Sequence, residues 1–111
     1  MRLLNINLLN PQLPAEQIIH PVKYENELYI AYVLQSEADN NFYVGFTINL
    51  RKRFLEHNTG KVKSTANRIP LRVVYYEVCF NQKDALHREK YLKSSYGKKY
   101  IKSRLKGYLT G

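Results

Sequence analysis

The stretch Tyr29–Asn58, YIAYVLQSEADNNFYVGFTINLRKRFLEHN, decides the fold. Its first part, Tyr29–Gln35, is aromatic and β-branched and reads as a strand. Ser36–Asn41 is a polar run of turn-forming residues, and Phe42–Phe46 reads as a second strand, so the two make a hairpin. Asn49 is a side-chain N-cap for a helix over LRKRFLEHN, and Gly60 ends it. Downstream, Lys61–Pro70 reads as a basic loop and Leu71–Cys79 as a third strand. Asn81, with Asp84 three residues on, starts a second helix expected to run to Tyr96. Gly97 is expected to break that helix, and Lys98–Leu109 to form a short basic one. The order β-β-α-β-α-α implies a small mixed α/β (α+β) sandwich, a three-stranded antiparallel sheet flanked by helices. Upstream, Pro11, Pro14 and Pro21 punctuate residues 1–28, which read as a partly ordered extension with a helical turn or two at Ala15–Ile19. The domain itself is expected at 29–107, with a tail at 108–111.

A chain of 111 residues has room for one domain. At 44% hydrophobic and 24% charged residues it is too apolar for a disordered chain. Cys79 is the only cysteine, which rules out an internal disulfide and a cysteine-built metal cage. No apolar run approaches the roughly 20 residues of a membrane span, and the asparagines at 5, 7 and 10 interrupt what would be a signal peptide. The sequence therefore reads as a soluble cytoplasmic protein with no membrane partner. Its formal charge is +9 and is unevenly spread: sixteen of the eighteen basic residues lie within 51–111, against four acids. Such a concentration favours a polyanionic partner, and without a cationic amphipathic helix bearing an apolar aromatic face the partner expected is nucleic acid.

Two helices carry polar residues where apolar ones are the rule. At about 100° per residue, Leu50 and Phe54 share one stripe, with His57 at its centre and Arg53 at its edge, while Arg51 and Lys52 point away. An arginine and a histidine turned toward a sheet need partners there. Arg53 paired with a carboxylate and His57 with backbone would be purely structural; both at a reacting centre would be functional. On the second helix Ala85, Leu92 and Tyr96 align, and Glu89 lies within about 40° of their centre. Either Arg53 or a bound metal would balance its charge. One carboxylate suffices for a hard cation when waters and a substrate phosphate complete its shell. In the hairpin, Tyr32 is expected opposite Tyr43 on the same face. Gly45 inside a strand signals close approach of backbone or substrate.

Taken together, Ile30-Ala31-Tyr32, then Tyr43-Val44-Gly45, Arg53, His57 and a helical Glu89 resemble the GIY-YIG nuclease domain, over about residues 29–107. HNTGKVKST, LRVVYYE and DALHREKYLK resemble the small stand-alone bacterial members related to the N-terminal nuclease domain of the excision-repair endonuclease. The resemblance implies metal-dependent hydrolysis of phosphodiester bonds, with one Mg²⁺ or Mn²⁺ ion as cofactor. It casts Tyr43 as general base or orienting phenolate, Tyr32 as its support, Arg53 as stabiliser of phosphate charge, His57 as hydrogen-bond partner of the active tyrosine or the phosphate, and Glu89 as the metal ligand. Three departures stand out: Ile30 replaces the first glycine, Phe46 stands where some repair nucleases carry lysine, and residues 98–111 lack a late asparagine.

The other basic and polar residues read as backbone binders or as solvated faces. They are Gly45, Arg51, Lys52, Asn58, Lys61, Lys63, Ser64 and Arg68 in the first helix and its surroundings, and Lys98, Lys99, Lys102 and Arg104 near the C-terminus. No sequence-reading module accompanies them. The expected function is therefore a structure-selective endonuclease acting on DNA, with RNA as the related substrate, in repair or recombination. The alternative is a nucleic-acid-binding module of the same fold with weak or no turnover.

Overall fold

The structure, a computed structural model, describes residues 28–111. The extension expected at 1–28, with its helical turn at Ala15–Ile19, lies outside the described residues except for Leu28. Strand β1 (Tyr29–Ser36) is the centre of the molecule. Ile30 to Leu34 are essentially inaccessible, as an uninterrupted apolar run covered on both faces must be. β1 pairs antiparallel with β2 (Phe42–Thr47) on one side and β3 (Leu71–Cys79) on the other, giving the order β2-β1-β3. The hairpin turn is held by Ser36, whose Oγ accepts from the amides of Ala38 and Asp39 at 3.0 and 3.3 Å and donates to the Arg68 carbonyl at 2.6 Å.

Helix α1 (Leu50–Asn58) begins where Asn49 caps it, accepting from the Lys52 amide at 3.1 Å. The loop expected at 61–70 contains a 3-10 helix, Lys63–Arg68. Helix α2 (Gln82–Lys93) is capped by Asn81 through the amides of Lys83 and Asp84. It stops at Ser94, earlier than the break expected at Gly97. Ser94 donates to the Tyr91 carbonyl at 2.6 Å and caps α3 (Ser95–Arg104) by accepting from the Gly97 amide. Gly97 is therefore helical, and its missing side chain lets α3 cross α2: a Cβ there would collide with the backbone of Tyr91 and Leu92. The early break also leaves Tyr96, expected on the buried stripe, 71% exposed. A short helix α4 (Lys106–Thr110) follows Leu105, dividing the segment expected as one helix.

The sheet separates two cores. Ile30, Tyr32 and Leu34 pack with Leu71, Val73, Leu50 and Phe54, the α1 side. Ala31, Val33 and Val44 pack with Leu92, Ile101 and Leu105, the α2–α3 side. A bulge in the β1–β3 ladder turns Val74 and Tyr75 to that second side in succession. No helix among the described residues is long and apolar enough to cross a membrane.

Candidate active site

Strand alternation puts Tyr32 and Leu34 on the α1 face of β1. The register sets Tyr32 opposite Gly45 and Leu34 opposite Tyr43, so the expected Tyr32–Tyr43 cross-strand pair is a diagonal one. Both tyrosines still share a face, with ring centroids 6.5 Å apart. Gly45 has its reason in this register: any Cβ would occupy the place of the Tyr32 phenol ring. The close approach at Gly45 is thus made by a side chain of the protein.

His57 comes from the last turn of α1 and is fully buried. Its Nε2 lies 2.8 Å from the Tyr32 hydroxyl and its Nδ1 lies 2.7 Å from Thr65 Oγ1. One tautomer satisfies every proton. Tyr32 donates to Nε2, Nδ1–H donates to Thr65, and the Thr65 hydroxyl donates to the Val62 carbonyl at 3.4 Å. Burial, reinforced by the positive charge of Arg53, lowers the His57 pKa to about 4, so the imidazole is neutral at pH 7. Burial raises the Tyr32 pKa to about 12, with Tyr43 and Glu89 adding to the effect and Arg53 opposing it. Tyr32 is therefore a protonated phenol, locked in place by His57. Both ring nitrogens of His57 are occupied and it has no exposed surface, so it touches Tyr32 and not a phosphate. The backbone partner expected for it is replaced by two side chains.

Tyr43 is half-buried, with its ring edge-on to His57 at 5.0 Å between centroids. Arg53 is also half-buried. Its Nη1 donates to Glu56 Oε1 at 3.0 Å, and it lines an open cleft of about 420 Å³ with Lys52, Phe46 and Glu56. The hydrogen bond to Glu56 raises its pKa further, so it is a permanent cation. Lys52, expected to point away, shares this cleft. Phe46 stacks on Tyr29 at 6.4 Å.

Glu89 projects from α2, and its negative charge is the smallest of the influences that raise the Tyr32 pKa. Its partner is Lys93 Nζ at 3.1 Å, one turn along the helix, and not Arg53. Among the described residues no group of three or more His, Cys, Asp or Glu side chains could hold a metal. A lone carboxylate still suits a hard cation that takes its other ligands from water and phosphate. The competing Lys93 is 56% exposed, and such a pair is readily displaced. Glu89 is the one carboxylate on which the expected metal would depend, and it is paired with Lys93.

The remaining residues divide. Asn58 is engaged in structure: its amide donates to the Leu71 carbonyl at 2.8 Å and accepts from the Leu71 amide at 2.7 Å, tying α1 to β3. Arg68 is half-buried, donating to the Phe42 carbonyl and pairing with Asp39 at 3.4 Å. Arg51, Lys61, Lys63 and Ser64 are exposed. Lys98 and Lys102 line a groove near the hairpin turn, whereas Lys99 and Arg104 are exposed outside it. Thr65 and Lys93 went unread in the sequence. A threonine in a basic loop carries no signal, but the Glu89-x-x-x-Lys93 spacing does.

Comparison with known proteins bears on these residues. The family described as the GIY-YIG catalytic domain matches residues 28–104. The chain is 38% identical over 81 residues to a "UPF0213 protein in ldhD 5'region" of Pediococcus acidilactici, covering 70% of this chain and 81% of the relative. It is 42% identical over 71 residues to a UPF0213 protein of Limosilactobacillus reuteri, covering 61% and 73% respectively. A solution NMR structure of a UPF0213 protein from Bacillus halodurans is 28% identical, covers 68% of this chain and 83% of that one, and superposes with a TM-score of 0.45.

Proposed function

The chain belongs to the GIY-YIG catalytic domain family, and from that premise we propose that it binds nucleic acid across the Tyr32–Tyr43–Arg53 face and hydrolyses a phosphodiester there as a metal-dependent endonuclease. The single observation that carries this reading is the Tyr32–His57–Thr65 chain, a buried polar relay that fixes one tyrosine beside the more open Tyr43. In this reading Arg53 draws a scissile phosphate into its cleft and opposes the charge that develops on it. Tyr43 accepts the proton of the attacking water, or orients that water. Tyr32 stays a neutral donor and holds the geometry, and His57 positions Tyr32. Glu89 would hold the cation, which when bound polarises the phosphate and steadies the leaving oxygen. With no groove-reading helix or zinc module in the sequence, selectivity rests on nucleic-acid structure. The resemblance of HNTGKVKST and DALHREKYLK to the small stand-alone members related to the excision-repair nuclease domain is the ground, by analogy, for a role in repair or recombination.

A second reading has observations of its own: a binding module with weak or no turnover. Glu89 is paired with Lys93, and the described residues hold no multi-ligand metal cluster. On these two points the molecule lies closer to the binding module. One experiment separates the readings: cleavage of labelled linear, nicked, flapped, bulged and four-way DNAs in Mg²⁺ or Mn²⁺, by the wild type and by Tyr43→Phe, Arg53→Ala and Glu89→Ala. The nuclease reading expects nicks by wild type that all three substitutions abolish. Salt-sensitive binding without cutting would establish the module instead, and cutting by Glu89→Ala equal to wild type would overturn the role of Glu89.

A further inference from the structure

Beside the hairpin turn the surface opens into a groove of about 690 Å³, separate from the Arg53 cleft. Lys98, Lys102 and Lys106 form one wall and Arg68 belongs to the other side of the lining, while Phe42 and Leu109 supply apolar surface. The three lysines recur every fourth residue: Lys98 and Lys102 stack about 6 Å apart along α3, and Lys106 joins the same groove from the start of α4, beyond the break at Leu105. Like charges at this spacing repel, and among the described residues none of the three has an acidic partner in an ion pair. Among the described residues no carboxylate lines the groove, although Asp39 pairs with Arg68 at 3.4 Å from outside the lining. Arg68 is held rigidly: its side chain donates to the Phe42 carbonyl, and its own carbonyl accepts from Ser36. The wall thus offers a row of positive charge that no acid among the described residues answers.

The groove also leads somewhere. Phe42 and Lys98 are shared with a smaller hollow of about 230 Å³, which is lined in turn by Tyr43 and Lys93. Val33, Val44, Leu92 and Ile101 complete the lining of that hollow, so the path runs along the α2–α3 side of β2, the edge strand of the sheet, and meets that strand at Tyr43, whose ring lies on the other face.

We propose that this groove holds the single-stranded arm of a branched or frayed nucleic acid and leads its junction to Tyr43. The proposal rests on the reading that the site at Tyr43 acts on nucleic acid, and it adds where the unpaired strand lies. A single strand carries one row of phosphates, which one row of lysines can follow, whereas a duplex presents two. The groove's volume of about 690 Å³ is that of a small-ligand site. An aromatic side chain in a basic groove suits unpaired bases, whose faces are free to stack.

The test is binding of fluorescein-labelled oligonucleotides to the full chain in the absence of divalent metal: a single strand, a blunt duplex, and the same duplex with a single-stranded overhang. Phosphatidylserine vesicles form a fourth arm. The proteins are wild type, Lys98→Ala/Lys102→Ala/Lys106→Ala and Arg53→Ala, each checked for an unchanged circular dichroism melt. The triple variant is expected to bind the single strand and the overhang at least about tenfold more weakly. Its salt slope should become shallower by about 2, three phosphate contacts at about 0.7 each, with blunt-duplex binding far less affected. Wild-type affinity and slope in the triple variant would overturn the groove while leaving the Tyr43 reading intact if Arg53→Ala binds more weakly. Equal losses on duplex and single strand would overturn the strand assignment. Binding to vesicles but to no nucleic acid would overturn both the groove and the reading beneath it. A single-lysine variant, Lys102→Glu, keeps the test decisive should the triple variant fail to fold: it should show the same selective loss.

Discussion

Two clusters of tyrosine, arginine and glutamate lie on opposite sides of the same sheet, and they behave differently. On the α2–α3 side, Arg88 donates to both oxygens of Glu77 at 2.8 and 2.7 Å and lies over the rings of Tyr91 and Tyr100 at 4.8 and 5.6 Å. Tyr75 donates to the same carboxylate at 2.8 Å and meets the Tyr100 hydroxyl at 3.1 Å. Burial pushes the Glu77 pKa up, but Arg88 and Tyr75 more than offset it, and the carboxyl is held below its usual range. Every charge there is answered within the fold. On the α1 side, Arg53 bonds Glu56 and the Tyr32 hydroxyl yet keeps a third of its side chain in the open cleft, Tyr43 is half-buried, and Glu89 on α2 leans on an exposed lysine. The same residue types make a structural clamp where their partners are internal and an open, charged surface where they are not.

The sharpest way to break this comparison is to remove the arginine from each side. Arg53→Ala is expected to lower the cleavage rate by about 10²–10³-fold, as loss of a transition-state donor does, while stability changes by less than about 1 kcal/mol, the worth of an exposed ion pair. Arg88→Ala should do the reverse. Its bidentate pair is mostly buried, so leaving Glu77 uncompensated should cost about 2–3 kcal/mol, below the full penalty of a sealed pair. Activity should survive at a temperature where the variant stays folded. Urea melts and single-turnover cleavage on both variants check the crossing. A stable, fully active Arg88→Ala would erase the distinction.

The next effect is one of pH and begins, on acidification, on the α1 side. His57 titrates near 6.5 when unfolded and about 4 when folded. Between those values the unfolded chain binds the extra proton, so its contribution is complete above about pH 6.5 and is lost as pH falls toward 4. The loss amounts to about 2 kcal/mol by pH 5 and about 3 kcal/mol by pH 4. Denaturant titrations from pH 7.5 to 4.5 should show this slope, and His57→Gln should flatten it. A wild-type slope retained in that variant would assign the effect elsewhere.

What the sequence revealed and what it concealed follow the same division. Strand composition and caps placed β1, β2, β3 and α1, because Asn49, Gly60 and the aromatic and β-branched run at 29–35 act locally. Gly97 misled because a glycine that ends a helix and one that admits a neighbouring helix are alike in sequence; only the contact with Leu92 separates them. The residues of the candidate site were readable from their joint spacing. The bonds among them were not, since Thr65 reaches His57 through a 3-10 turn that no periodicity announces. Nor could composition tell that Glu89 would meet Lys93 and leave Arg53 to Glu56.

Gly45→Ala sharpens the comparison at smaller amplitude. The new methyl group would collide with the Tyr32 ring, which is enclosed and tied to His57. Overpacking of this kind costs about 1–3 kcal/mol, and relief requires Tyr32 to move off Nε2. The His57 pKa, followed by NMR, should then rise toward 6.5 as the imidazole gains access to water. A Gly45→Ala protein with an unmoved His57 titration would mean that Tyr32 has more room than its contacts indicate.

The smallest effect on stability belongs to the most exposed partner. Lys93→Ala removes an i, i+4 pair worth about 0.3–0.5 kcal/mol, so the melting curve should barely move. The consequence for Glu89 should be larger, because its carboxylate loses the cation that competes with a metal. Calorimetric titration with Mn²⁺ should give tighter binding than wild type, and Glu89→Gln should remove the binding in either background. Arg88 on the other side has no such counterpart, since no solvent-exposed lysine stands between Glu77 and its partner. If Lys93→Ala binds Mn²⁺ no more tightly than wild type, the Glu89–Lys93 pair belongs with the structural clamps and the open character of the α1 side rests on Arg53 and Tyr43 alone.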